Sequence, residues 1–240
     1  MSHVDSGFCV TDIATLAKTV KEKCPELELV RQSTYRTWIA DNGRLVGDYP
    51  LPGIYQIKLM GALKKQGVDV HAKAAEKGVT LPKNLLDLEK KPWTLAEQRK
   101  MFQNSTFQQA YDSLCKKVVG KDSEFVIKYK KDKGNKQAYE IGLVPHPVNK
   151  GEYVMMADFY AQGNGLLNAK GLGMHKQKPG ADGKPTDTWG GELKKAYAVN
   201  AAEKQIQAQI AAGNPEYGSY KKVTLPDGQV KLSVQPRGGM

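Results

Sequence analysis

The run Phe125-Val126-Ile127-Lys128-Tyr129-Lys130 decides the fold. Phe125, Ile127 and Tyr129 alternate with Val126, Lys128 and Lys130, which is the period of a strand with an apolar inner face and a basic outer one. The pattern recurs in Tyr139, Ile141 and Leu143, and again in Tyr153, Met155, Ala157 and Phe159. Between these runs, Lys133-Gly134-Asn135 and Pro145-His146-Pro147 supply turn chemistry. Three consecutive strands with short connections predict an antiparallel meander.

On the N-terminal side, Thr11 is placed to cap a helix over residues 12–23, with Ile13, Leu16, Ala17 and Val20 on one face. Pro25 ends that helix, and the alternation from Glu26 to Gln32 predicts a strand. Ser33 to Gly53 carries Tyr35, Trp38, an Asn42-Gly43 turn, Pro50 and Pro52, the chemistry of a short hairpin followed by a boundary. On the C-terminal side a long loop, Gly163 to Gly191, precedes a helix from Glu192 to Ala212, stopped by Gly213, Asn214 and Pro215. A hairpin ends the chain: Val223 and Leu225, the turn Pro226-Asp227-Gly228, then Val230, Leu232 and Val234.

Between the two halves the character changes. Ile54–Lys65 and Asp69–Lys77 predict short helices, each stopped by a glycine, Gly67 and Gly78. Pro82 opens a turn or helix through Leu88, and Thr94-Leu95-Ala96-Glu97 is a capping box after Pro92-Trp93. A further helix is expected from Ser105 to Val118. The fold expected is therefore α+β: an antiparallel sheet packed by an N-terminal and a C-terminal helix, with a helical insertion. Residues 1–53 and 122–240 form the core domain and 54–121 a basic helical insertion. Both helices cover one sheet face, which leaves the other to solvent or a partner.

The chain has 240 residues, 40% of them hydrophobic and 25% charged, enough for a hydrophobic core and unlike a disordered chain. No apolar run approaches the ~18 residues of a membrane helix. The start, MSHVDSGFCV, lacks the basic-then-apolar order of a signal peptide, so the mature protein is expected to begin there. Cys9, Cys24 and Cys115 form no C-x-x-C pair, which points to reduced thiols and a cytoplasmic setting. The net charge is +11, and it is unevenly spread. Residues 1–53 hold six Lys/Arg against seven Asp/Glu, residues 54–121 thirteen against six, and residues 122–240 seventeen against twelve. The middle segment is the densest in positive charge, and such concentration attracts polyanions.

The order of elements resembles a family of small, functionally uncharacterised proteins of bacteria, cyanobacteria and red-algal plastids, a domain of unknown function. The likeness rests on Met1-Ser2-His3 before a helix, the strand pair Tyr139-Glu140-Ile141-Gly142 and Tyr153-Val154-Met155-Met156-Ala157-Asp158, and the helix Leu193-Lys194-Lys195-Ala196-Tyr197-Ala198-Val199. The Asp227-Gly228-Gln229-Val230-Lys231-Leu232 hairpin completes it. It covers roughly residues 1–40 and 122–240; the block 54–121 and the loop 163–191 fall outside it. Some members are encoded beside AAA-type ATPases. The resemblance implies the fold class and an accessory role, and it transfers no catalytic residue.

No catalytic motif stands out. His3, His71, His146 and His175 each lack a second ligand at i+3 or i+4, so no metal site is expected. Structural thiols are favoured over reactive ones, and no G-x-S-x-G elbow exists. Gly163, Gly165, Gly171 and Gly173 surround Lys170, but neither phosphate-binding glycine motif is present and no helix follows at once. No cofactor and no small-molecule substrate is implied.

What remains is basic residues around aromatics. Lys116, Lys117, Lys121, Lys128, Lys130 and Lys131 surround Phe125 and Tyr129; Lys90, Lys91, Arg99 and Lys100 flank Trp93; Lys170, Lys176 and Lys178 lie in the glycine-rich loop. Rings facing the core argue against base stacking, whereas phosphate attraction needs only the lysines. The leading expectation is a non-enzymatic accessory protein that binds a polyanion, nucleic acid foremost, through nonspecific lysine–phosphate contacts. The alternative is a protein–protein adaptor or inhibitor docking on an acidic protein or an AAA-type ATPase through the helical insertion. An enzyme with a site assembled from distant residues comes third.

Overall fold

The alternation read from 125–129 becomes strand pairing in the computed structural model, which describes residues 4–37, 51–101, 109, 122–130, 139–158, 178–179, 185–186, 191–225 and 229–238. The fold is α+β, as predicted. A five-stranded antiparallel sheet comprises β1 (Val4–Val10), β2 (Leu27–Arg31), β3 (Phe125–Tyr129), β4 (Ile141–Pro145) and β5 (Tyr153–Asp158). Their spatial order is β1-β5-β4-β3-β2, so β3, β4 and β5 form the expected meander and β1 and β2 its edges. Strand β1 was not foreseen, because Asp5-Ser6-Gly7 interrupts any apolar alternation; its register against β5 shifts between Ser6 and Cys9.

Helix α1 (Ile13–Lys23) and the long helix α5 (Gly191–Ala211) pack on one sheet face, as expected. There Leu16, Val20, Leu193 and Tyr197 share a core with Phe8, Val10, Leu27, Ile127, Ile141, Leu143 and Met155. The cap of α1 is Asp12 and not Thr11. Its carboxylate accepts the Thr15 amide at 3.0 Å, and a carboxylate complements the partial positive charge of a helix start better than a hydroxyl.

The other sheet face is not left to solvent. Residues 51–101 cover it as a helical layer: α2 (Gly53–Lys65), α3 (Val70–Glu76), a 3₁₀ turn (Leu85–Glu89) and α4 (Leu95–Met101). Ile54, Tyr55, Leu59 and Leu63 share one core with Val126, Val144, Val154 and Met156 of the sheet. The basic outer face expected for β3 is therefore apolar at Val126, which is fully buried. Burial of both faces is what makes Ile141–Val144 and Val154–Ala157 apolar throughout instead of alternating.

Tyr35 pins the helical layer to the sheet. Its ring lies over Gly142, where an added Cβ would stand 2.4 Å from Tyr35 Cδ1, and its hydroxyl is hydrogen-bonded to that of Tyr55 on α2. Two buried glutamines tie the layer to itself. Gln56 accepts the Trp93 amide at 2.8 Å and donates to the Leu51 carbonyl at 2.7 Å; Gln98 accepts the Leu51 amide at 3.0 Å.

Past Asn200, no residue of α5 is buried. This end carries the predicted hairpin, β8 (Ser219–Thr224) with β9 (Val230–Gln235). A two-residue pairing, β6 (Lys178–Pro179) with β7 (Pro185–Thr186), lies between β5 and α5. The predicted helix 105–118, the Asn42-Gly43 turn and the Pro226-Asp227-Gly228 turn lie outside the described residues.

Candidate nucleic-acid interface

The candidate cations separate into groups of different standing. Lys90 and Lys91 leave the 3₁₀ turn, Pro92 extends the chain, and Trp93 turns inward to 3% exposure, a core anchor and no stacking platform. Thr94 then caps α4 in the predicted box: its amide donates to Glu97 Oε2 at 2.8 Å and its Oγ1 accepts the Glu97 amide at 3.3 Å. Gln98 and Met101 face the core, which leaves Arg99 and Lys100 exposed. The Glu97 carboxyl is held below its ordinary value by the Thr94 hydrogen bonds first, and further by the nearby charges of Lys91 and Lys100. Lys91 and Lys100, nine residues apart in the sequence, thus both act on the one carboxylate of Glu97. Lys90, Lys91, Arg99 and Lys100 are all exposed, and none forms an ion pair among the described residues.

The β3 lysines are spent locally. Lys128 Nζ donates to Gln32 Oε1 at 3.0 Å, and Lys130 Nζ to the Pro25 carbonyl at 2.6 Å. Glu28 of β2 stands opposite Lys128 in the register. Lys178 pairs with Thr186 across β6 and β7. Lys116, Lys117, Lys121, Lys131, Lys170 and Lys176 lie outside the described residues.

His146 is engaged in structure. His146 accepts the amides of Val148 (3.2 Å) and Asn149 (2.9 Å) at Nδ1, and its Nε2 meets Glu89 Oε2 at 3.2 Å. It thereby staples the β4–β5 turn to the helical layer. Two accepted amides at Nδ1 place the ring proton on Nε2. Although Cys9 as a residue is exposed, desolvation of its thiol first, and then Glu152 and Glu89, push it up to about 11, which lowers its thiolate fraction. Burial and Glu26 push Cys24 likewise to about 11. Cys115, His3 and His175 lie outside the described residues. Among the described residues, no group of three or more His, Cys, Asp or Glu side chains can hold a metal ion, and no helix is long and apolar enough to cross a membrane.

A groove of about 240 Å³ runs between α1 and α5, bordered by Thr15, Lys18, Asn200, Glu203, Lys204 and Gln207. It is smaller than most small-molecule sites, which take ~300–1,000 Å³. Its polar groups are already matched. Asn200 donates to Thr19 and Glu22, Glu203 accepts from Tyr220 and Lys222, and Lys204 pairs with Asp12 at 2.5 Å.

No family model, no curated protein and no solved structure matches this chain.

Lys221 and Lys231, outside the cations singled out above, are presented to solvent by the C-terminal hairpin, whereas the Arg237 guanidinium turns back to the Ile210 carbonyl at 3.5 Å. The register of the hairpin, legible in the alternation of 219–235, was the signal available.

Proposed function

We propose that this chain is a non-enzymatic accessory protein that binds nucleic acid through phosphate contacts on its helical layer. One observation carries the reading: Lys90, Lys91, Arg99 and Lys100 stand exposed and without ion pairs among the described residues, on a turn and helix braced from beneath by Gln56, Gln98 and Trp93. A turn and helix already held in place lose less loop freedom on binding than a mobile segment would. The layer around them is basic throughout, with ten Lys/Arg against five Asp/Glu over residues 51–101. A cytoplasmic setting and membership of the plastid and bacterial family named above belong to the same proposal.

The test is fluorescence anisotropy of the full chain with labelled single-stranded RNA, single-stranded DNA and duplex DNA at two salt concentrations. Binding that weakens steeply with salt, and is reduced together with its salt slope on replacing the four cations by alanine, supports the reading. An absence of binding at low salt, with a defined acidic polypeptide co-purifying instead, replaces it with the adaptor.

A further inference from the structure

The β8–β9 hairpin has one face fastened and one face free. On the fastened face, Tyr220 donates to Glu203 Oε1 at 2.8 Å and accepts from Gln207 at 2.9 Å, while Lys222 pairs with Glu203 Oε2 at 3.1 Å. Leu232 and Val234 lie on this same side, opposite Lys222 and Tyr220 in the register, and are part-buried. The root is fixed as well. Gly218 donates to the Gln235 carbonyl at 2.7 Å and Arg237 to the Pro215 carbonyl at 2.8 Å. A Cβ at Gly218 would stand 2.7 Å from the Pro236 oxygen. The ribbon is therefore a projecting element of set orientation.

Its free face carries Ser219, Lys221 and Val223 on β8 against Gln235, Ser233 and Lys231 on β9. Lys221 and Lys231 are exposed and form no ion pair among the described residues, and Val223 is 37% exposed between them. Over 219–238 the sequence holds Lys221, Lys222, Lys231 and Arg237 against the single acid Asp227. Such a surface complements a polyanion, and its uncharged members name which one. Lysine donates to guanine O6 and N7, glutamine pairs with adenine, serine serves either base, and a small apolar side chain meets the thymine methyl. Two strands ~4.8 Å apart, with their side chains, suit a major groove ~12 Å wide and overfill a minor groove of ~6 Å. The deep major groove of A-form RNA is too narrow to be read in this way.

We propose that the free face of the β8–β9 ribbon enters the major groove of B-form DNA, with Lys221, Lys231 and Gln235 at base edges. This rests on the nucleic-acid reading above but on a surface separate from the helical layer, so the two can fail independently.

The test compares the wild-type chain, a Lys221→Ala/Lys231→Ala variant and the Lys90/Lys91/Arg99/Lys100 alanine variant. The probes are a labelled mixed-sequence duplex of about two helical turns and a single-stranded RNA of equal length. The ribbon variant should lose about tenfold or more in duplex affinity with little change for the RNA, and wild-type protein should shield guanine N7 from dimethyl sulfate. Guanine N7 remaining fully reactive in the wild-type complex overturns the proposal without recourse to any variant. So does a ribbon variant that binds the duplex like wild type while the helical-layer variant does not, an outcome that leaves the function standing. A wild-type chain that binds neither probe overturns both readings.

Discussion

The hydroxyl oxygen of Tyr197 accepts the backbone amide of Asp12 at 3.0 Å, and that of Thr11 at 3.1 Å. One side chain on α5 thus satisfies two backbone donors just outside the first turn of α1, while its ring packs on Phe8 with centroids 5.8 Å apart. Tyr197→Phe keeps the ring and strands both amides. It should cost about 1–3 kcal/mol, read as a lower midpoint in urea with unchanged slope.

Asp12 also sets an acid limit. The Lys204 hydrogen bond foremost, then the Thr15 amide, lowers its carboxyl from 3.8 to about 2. Because the folded value lies below the ordinary one, the stabilisation is complete above about pH 4 and is lost as pH falls towards 2. At most about 2 kcal/mol is involved, since the pair is partly open to solvent. Urea midpoints measured from pH 6 to pH 2 should fall less steeply for Asp12→Asn than for wild type, and the difference should shrink in high salt.

Gly142 is predicted to be intolerant of any side chain. An alanine Cβ would meet the Tyr35 ring at 2.4 Å, within a core that also holds Val126 and Val144. Overpacking of this kind costs about 1–3 kcal/mol. Tyr35→Ala should be destabilising alone, yet should make Gly142→Ala nearly neutral in the double variant. Additive losses would contradict the packing described.

Cys9 should react slowly with a disulfide reagent at pH 8, because its thiol lies near 11. Glu152→Gln removes one of the charges that raise it and should speed the reaction. The difference between each protein and its Cys9→Ser counterpart isolates this thiol from Cys24 and Cys115.

The sheet was legible where alternation was clean. Residues 125–129, 141–145 and 153–158 fell close to where they were expected, as did α5 and the capping box at Thr94 and Glu97. Val4–Val10 was not, since Asp5-Ser6-Gly7 has no apolar period and its pairing with β5 comes from across the chain. The cover on the second sheet face was written in Val154-Met155-Met156-Ala157, whose unbroken apolarity is the mark of a strand buried on both sides. Lys128 and Lys130 alternate on the neighbouring strand β3, so the cue is absent there. Of the candidate cations, Lys90, Lys91, Arg99 and Lys100 could be grouped from the sequence because they flank Trp93 and the capping box. The local partners of Lys128 and Lys130, Gln32 and Pro25, lie about a hundred residues away, and no local pattern announces them.

Whether the helical layer holds nucleic acid is decided by the salt dependence of duplex DNA affinity, measured for wild type and for the variant with Lys90, Lys91, Arg99 and Lys100 replaced by alanine. Each phosphate contact contributes about 0.9 to the slope of log affinity against log salt. The wild-type slope should be steep and should drop by about 3–4 in the variant. Equal slopes and equal affinities for the two proteins would contradict it.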